Sequence, residues 1–243
     1  MKRRILFGMG LAALCANASA TDIGVGLRAS TLGLGAEVSI SMLNGLNLRI
    51  PVSGFNYNDD LTEDDIRYDA DLELLTVGLL ADYHVFGGGF HVTGGVASNG
   101  NELKLLASEA TGNERFQVGN QTYVSDPNDP FELRAGLDFN AVAPYLGIGW
   151  GNAASGQGKF YFKFEAGALF QGSPQASAAA SGSACNTSTE TCALTSFDVQ
   201  SDDPRAQQFR VELERERRAI EEEIDEFDIY PVVSLSIGYR FLR

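Results

Sequence analysis

The ionisable side chains with most chemical potential lie in stretches where every second residue is apolar. They are Arg28, Glu37, Arg49, Asp82, His84, His91, Asp138, Lys163, Glu165 and Arg240. In "KFYFKFEAGALF", residues 159–170, one side of an extended chain carries Phe160, Phe162, Phe164, Ala166, Ala168 and Phe170. The other carries Lys159, Tyr161, Lys163, Glu165 and Gly167, because strand side chains alternate with period 2. Groups of both signs on one face can neutralise one another or hold a charged solute. In a sandwich the apolar side turns into a core; in an outer-membrane barrel it turns out to lipid and the charges turn inward.

Enzymatic chemistry finds little support. The two histidines, His84 and His91, flank a "GGG" turn, and no G-x-S-x-G stretch supplies a nucleophile. The glycine doublets form no G-x-G-x-x-G ahead of a helix and read as packing relief in strands. A non-enzyme is expected, with no catalytic, cofactor or metal residue assigned. "DPNDPFE", 126–132, has oxygen ligands but neither the spacing nor the glycine of an EF-hand.

A second charged group is acidic. Asp59, Asp60, Glu63, Asp64 and Asp65 crowd one connection and are expected at one mouth of the molecule. Focused negative potential concentrates cations, dibasic amino acids included, and carboxylates also suit calcium or magnesium; solubility alone is the plainer reading.

The elements that position these residues begin with an export signal. Lys2, Arg3 and Arg4, an apolar run from Ile5 to Ala16, and "ASA" at 18–20 read as a signal peptide over residues 1–20, cut before Thr21. A lipidated Cys15 is the rival reading, weakened by Leu14 before it. Losing three cations and no acids takes the net charge from −14 to −17, a poor surface for nucleic acid. Residues 21–243 are read as one barrel domain. In an exported chain, Cys185 and Cys192, spaced C-x6-C, read most simply as a disulfide. No later run of 18 apolar residues occurs, so helical membrane spans are excluded, though barrel strands are not.

The alternation recurs at 23–29, 34–42, 46–53, 75–84, 90–99, 135–150, 159–170 and 233–241. The segment 135–150 changes parity, which predicts a bulge near Pro144. Parity also flips between Ala29 and Leu34: a tight turn gives eight strands and a bulge gives seven, and the even strand number of bacterial barrels favours the turn. Short glycine-rich connections alternate with long polar ones at 58–67, 107–134 and 175–228, as periplasmic turns alternate with outer loops. Pro204 to Phe227 predicts a helix capped by Asp203, with Glu214–Arg218, Arg217–Glu221 and Arg218–Glu222 pairs, long and charged enough to lie across a mouth.

The closing stretch "YPVVSLSIGYRF" resembles the C-terminal assembly signal of outer-membrane barrels, apart from the Leu242 and Arg243 that follow it. With "GLGAEVSISMLNGLNLRI", "YHVFGGGFHVTGGV" and "APYLGIGWGN", the chain is similar to small outer-membrane barrels of the ornithine-uptake porin (CarO-like) type. That resemblance implies slow or selective passage of basic amino acids across the outer membrane.

The fold predicted is therefore an all-β, eight-stranded antiparallel transmembrane barrel with a helix-containing long last loop. Eight strands enclose an interior about filled by side chains, so a plugged lumen with paired charges is expected. The functional reading is a porin-like protein in the cell outer membrane admitting small cationic solutes, surrounded by lipid and lipopolysaccharide. The alternative is a non-transporting structural or adhesion barrel whose acidic loops bind a surface partner or divalent cations.

Overall fold

The computed structural model describes residues 22–63, 66–109, 115–119, 121–156, 158–186 and 192–241. The expected signal peptide, Asp64 and Asp65 lie outside the described residues. Among the described residues there are fifteen strands: β1 Ile23–Ser30, β2 Gly33–Leu43, β3 Leu46–Glu63, β4 Ile66–His84, β5 Phe90–Asn99, β6 Glu102–Glu109, β7 Arg115–Val118, β8 Gln121–Ser125, β9 Glu132–Asp138, β10 Val142–Trp150, β11 Phe160–Phe170, β12 Gln175–Ser181, β13 Ser183–Asn186, β14 Phe197–Asp198 and β15 Ile229–Phe241. Two α-helices, α1 Cys192–Thr195 and α2 Pro204–Ile224, interrupt them.

Among the described residues, eight strands close an antiparallel ring in the order β1, β2, β3, β4, β5, β10, β11, β15 and back to β1. Closure leaves no free edge in the ring. The expected eight strands are those of the ring; seven more among the described residues lie outside it. The parity flip after Ala29 is a tight turn over Thr31 and Leu32, closed by Gly33 at φ 104°. Helix α2 stops at Ile224 and tightens into a 3-10 turn over Asp225–Asp228, shorter than the expected helix.

The long connections are not plain loops. Strands β3 and β4 pair far beyond the ring, out to Glu63 and Ile66. The lower half of β4, Thr76–His84, pairs β5 within the ring; its upper half, Ile66–Glu73, pairs β6 instead. There the sheet leaves the ring and continues through β9 to β12. The expected single strand over 135–150 is therefore two, β9 and β10, broken over 139–141, and Pro144 pairs Val96 in regular register. The parity change marked a strand end, not a bulge.

A second sheet, β14-β13-β8-β7, lies beside this extension. Its core joins Tyr123, Phe131, Phe197, Val199, Ala206 and Phe209, so α2 anchors by its first turns and packs over β12, β7 and β14. Asp203 caps α2, its carboxylate accepting from Arg205 N at 2.8 Å. Along the helix Arg217 pairs with Glu214 and Glu221, and Arg218 with Glu214. Cys185 and Cys192 form a disulfide that ties β13 to α1.

Candidate functional site

The outer surface of the ring is apolar and its inner surface ionic. On β11, Phe160, Phe162 and Phe164 are exposed while Tyr161, Lys163 and Glu165 are buried; β1, β2, β4, β10 and β15 repeat the pattern. On β3 the alternation runs from Leu46 to Phe55, after which both faces are exposed through Asn58. Ten residues tilted by ~40° cover about 25 Å, the height of an outer-membrane apolar band. Aromatic side chains gather at the end where Ile23 pairs Phe241: Phe90 lies tilted against Trp150, and Phe160, Tyr239 and Phe241 adjoin one another. Phe86, in the "GGG" turn, adopts φ 64° and is 96% exposed, presenting a full ring at that rim.

Nine of the ten interior candidates are buried: Arg28, Glu37, Arg49, Asp82, His84, His91, Lys163, Glu165 and Arg240. Asp138 is not among them. It ends β9, outside the ring, and is exposed, a correction that follows from the break before β10.

The centre of the lumen is one network. Arg49 of β3 donates from Nε and Nη2 to Asp82 at 2.9 and 3.0 Å, and from Nη2 to Glu165 Oε2 at 2.6 Å. Lys163 Nζ lies 3.0 Å from Asp82 and 3.3 Å from Glu165. Thr93 Oγ1 reaches Asp82 at 2.8 Å and Glu165 at 3.1 Å, and the Tyr145 hydroxyl donates to Glu165 Oε1 at 2.7 Å. Each carboxylate thus faces two cations and neutral donors, the condition for holding charge in a low dielectric. Nearer the β1–β2 turn the fit loosens: Glu37 Oε2 is 3.6 Å from both Arg28 and Arg49. Glu37 also accepts from the Tyr161 hydroxyl at 3.2 Å.

Glycines make room for the tyrosines. A Cβ at Gly167 would lie 2.5 Å from the Tyr145 hydroxyl oxygen, and one at Gly238 2.5 Å from a Tyr161 ring carbon. The rings lie flat on the wall because those positions lack side chains.

Asp82, His91 and Glu165 bring ligand atoms within 4.8 Å of one another, close enough for a metal ion. Their oxygens already serve Arg49, Lys163, Thr93 and Tyr145, so a dication would have to displace two resident cations. The donor set does not fit a metal as arranged.

Two further layers close the lumen; the first has no sequence candidate in it, and of the second only His84 and Arg240 are candidates. On the side of the long connections, Leu32, Leu80, Ala97, Ala143, Leu169 and Val232 form an apolar cluster with Tyr145. The signal was present: Leu80 shares parity with Asp82, and Leu169 with Lys163 and Glu165. At the opposite end residues 151–155 fold inward. Ala153 and Ala154 are buried, Asn152 accepts from Asn47 at 2.9 Å, and Arg240 donates to the carbonyls of Asn152, Gly158 and Phe160. His84 faces the Gly151 carbonyl at 3.3 Å, and its ring lies 5.1 Å from that of His91.

The acidic residues are placed apart from this network. Asp59 and Asp60 lie on the β3–β4 hairpin beyond the ring, paired in register with Ala70 and Asp69, and Glu63 pairs Ile66 at its tip. Tyr57 donates to Asp59 at 3.2 Å, and Asn58 bonds Asp71. In 126–132 the carboxylates serve the chain itself: Asp126 accepts from Ser196 and Asn128, and Asp129 from Ser183. The hydrogen bond from Ser196 holds the Asp126 carboxyl below its ordinary range.

No family model matches the chain, and no curated protein matches it. Among solved structures, the crystal structure of Acinetobacter baumannii CarO is 22% identical, covering 89% of this chain and 96% of that one at a TM-score of 0.51. That of Acinetobacter baumannii CarO2 is 18% identical, covering 92% of this chain and all (100%) of that one at 0.53. At these identities the likeness is one of fold, an all-β barrel with a helix near its C-terminus.

Proposed function

We propose that the chain is an outer-membrane barrel of porin-like type, closed at rest, that admits small cationic solutes such as basic amino acids by cation exchange inside its lumen. The observation that carries the reading is the pair Asp82 and Glu165, held between Arg49 and Lys163 and enclosed by an apolar outer wall. A solute ammonium or guanidinium offers those carboxylates the same contacts that the two side chains offer now. Exchange of one cation for another avoids exposing a bare buried charge, which would cost several kcal/mol.

Four buried cations, Arg28, Arg49, Lys163 and Arg240, face three buried carboxylates in the ring. That surplus opposes free cation flow, and the apolar cluster and the inward-folded residues 151–155 add two barriers. Slow, selective passage is therefore the reading, rather than open conductance. The acidic hairpin supplies the approach by raising local cation concentration. The export signal over residues 1–20 belongs to the same proposal, as do lipid and lipopolysaccharide as surroundings.

The test is uptake by proteoliposomes of ornithine, glutamate and a neutral amino acid of similar size, beside cell fractionation. Ornithine should enter fastest, and Glu165→Gln should erase the preference while heat-modifiable migration shows an assembled barrel. Absence of flux for every solute through folded protein would overturn transport and leave the non-transporting barrel, whose acidic hairpin binds a surface partner or divalent ions.

A further inference from the structure

Outside the ring, the sheet extension presents an apolar face to α2. In register across β6, β9 and β12 run two rows, Leu103–Leu137–Ala176 and Leu105–Ala135–Ala178. The second row is shallow, because two of its three members are alanine. Above it Leu213 and Ile220 point from α2, and the residues between them on that face are Glu216 and Arg217. Arg217 does not fill the gap. Its guanidinium turns to the sheet edge, donating to the Ala176 carbonyl at 3.0 Å and pairing with Glu214 and Glu221. A cavity of about 180 Å³ results.

We infer that this cavity binds a small uncharged hydrophobic molecule about the size of a substituted benzene. Three observations lead there. The walls are largely aliphatic, and an apolar cavity of about 150 Å³ takes up benzene; this one is partly open, which gives a ligand a way in. The polar side chains at its rim are engaged by the protein: Glu216 accepts from Gly119 N, Gln117 donates to the Gly119 carbonyl, and Ser177 donates to that of Gly136. Arg217 has two carboxylates already, so an anionic ligand would have to break ion pairs to be recognised. The site lies on the extension rather than in the ring, and it stands whether or not the lumen conducts.

The experiment uses the full chain in lipid nanodiscs with labelled leucine and isoleucine methyl groups, titrated with toluene. Saturable shifts are expected at Leu133, Leu213 and Ile220, with only the linear drift of lipid partitioning at Leu146 and Ile148, which face outward from the ring. Ala178→Leu fills the shallow row and should abolish the saturable shifts; Ala135→Leu is a second filler at a separate strand. Unsaturable drift alone in the wild type, or saturable shifts that survive in either assembled variant, would overturn the assignment.

Discussion

Arg49 and Glu165 meet across the full width of the barrel: β3 and β11 stand opposite each other in the ring of eight, and Arg49 Nη2 reaches Glu165 Oε2 at 2.6 Å. The contact is a strut, joining walls that share no ladder hydrogen bond. It also divides the lumen, with apolar side chains on one side and the inward-folded residues 151–155 on the other.

Removing one end of that strut strands charge. Arg49→Ala leaves Asp82 and Glu165 to share Lys163, and is expected to cost about 3–5 kcal/mol. Arg49→Met with Glu165→Leu should cost less than the two single changes summed. Urea unfolding from liposomes measures both, and simple additivity would refute the strut.

The apolar layer sets a different barrier. Leu169→Ser replaces a fully buried side chain with a hydroxyl among Leu80, Ala143 and Val232. A loss of about 2–4 kcal/mol is expected, together with faster solute entry as the layer becomes wettable. Liposome swelling reads the second effect; a variant no leakier than wild type would mean that the layer is not limiting.

Room for Tyr145 depends on Gly167. In Gly167→Ala the new Cβ would lie 2.5 Å from the tyrosine oxygen and 2.6 Å from the Leu146 carbonyl, so one must move. The expected cost is about 1–3 kcal/mol, with loss of the Tyr145–Glu165 hydrogen bond. Tyr145→Phe in the same background should remove part of that cost, as a thermal midpoint would show.

Helix α2 carries a pH dependence of its own. Hydrogen bonds from Arg205 hold the Asp203 carboxyl at about 2, and those from Arg217 and Arg218 do the same for Glu214. Both values are depressed, so the helix gains from them above the ordinary carboxylate range near pH ~4 and loses the gain as pH falls toward ~2. Helical circular dichroism should therefore decline across that window, and Asp203→Asn should shift the decline. A flat signal would refute the linkage.

The disulfide acts on the second sheet, beside the extension. Separated by 7 positions, Cys185 and Cys192 close a loop worth about 2.5 kcal/mol in the chain-entropy account. Reduction should expose β13 and β8 to hydrogen exchange while ring amides keep their protection. Loss of ring protection would show that the two parts unfold together.

Much of the ring could be read from the chain itself. Seven of the eight alternating stretches correspond to ring strands, because a wall between lipid and a charged interior imposes period 2 on each strand. The same parity placed Lys163 and Glu165 together, and the cap at Asp203 located α2. Parity failed at 135–150, where two strands of different sheets abut: Asp138 kept the rhythm of an inward residue after its strand had left the ring.

Local pattern gave which face each side chain occupies, since alternation is a property of neighbours in the chain. It could not say that Arg49 would bridge to Glu165, that Leu32, Leu80 and Leu169 would cap the charges, or that β4 would change partners halfway along. Those outcomes depend on ring closure and on where β6 leaves the wall, and contacts between residues 116 positions apart exist only after the cylinder has shut.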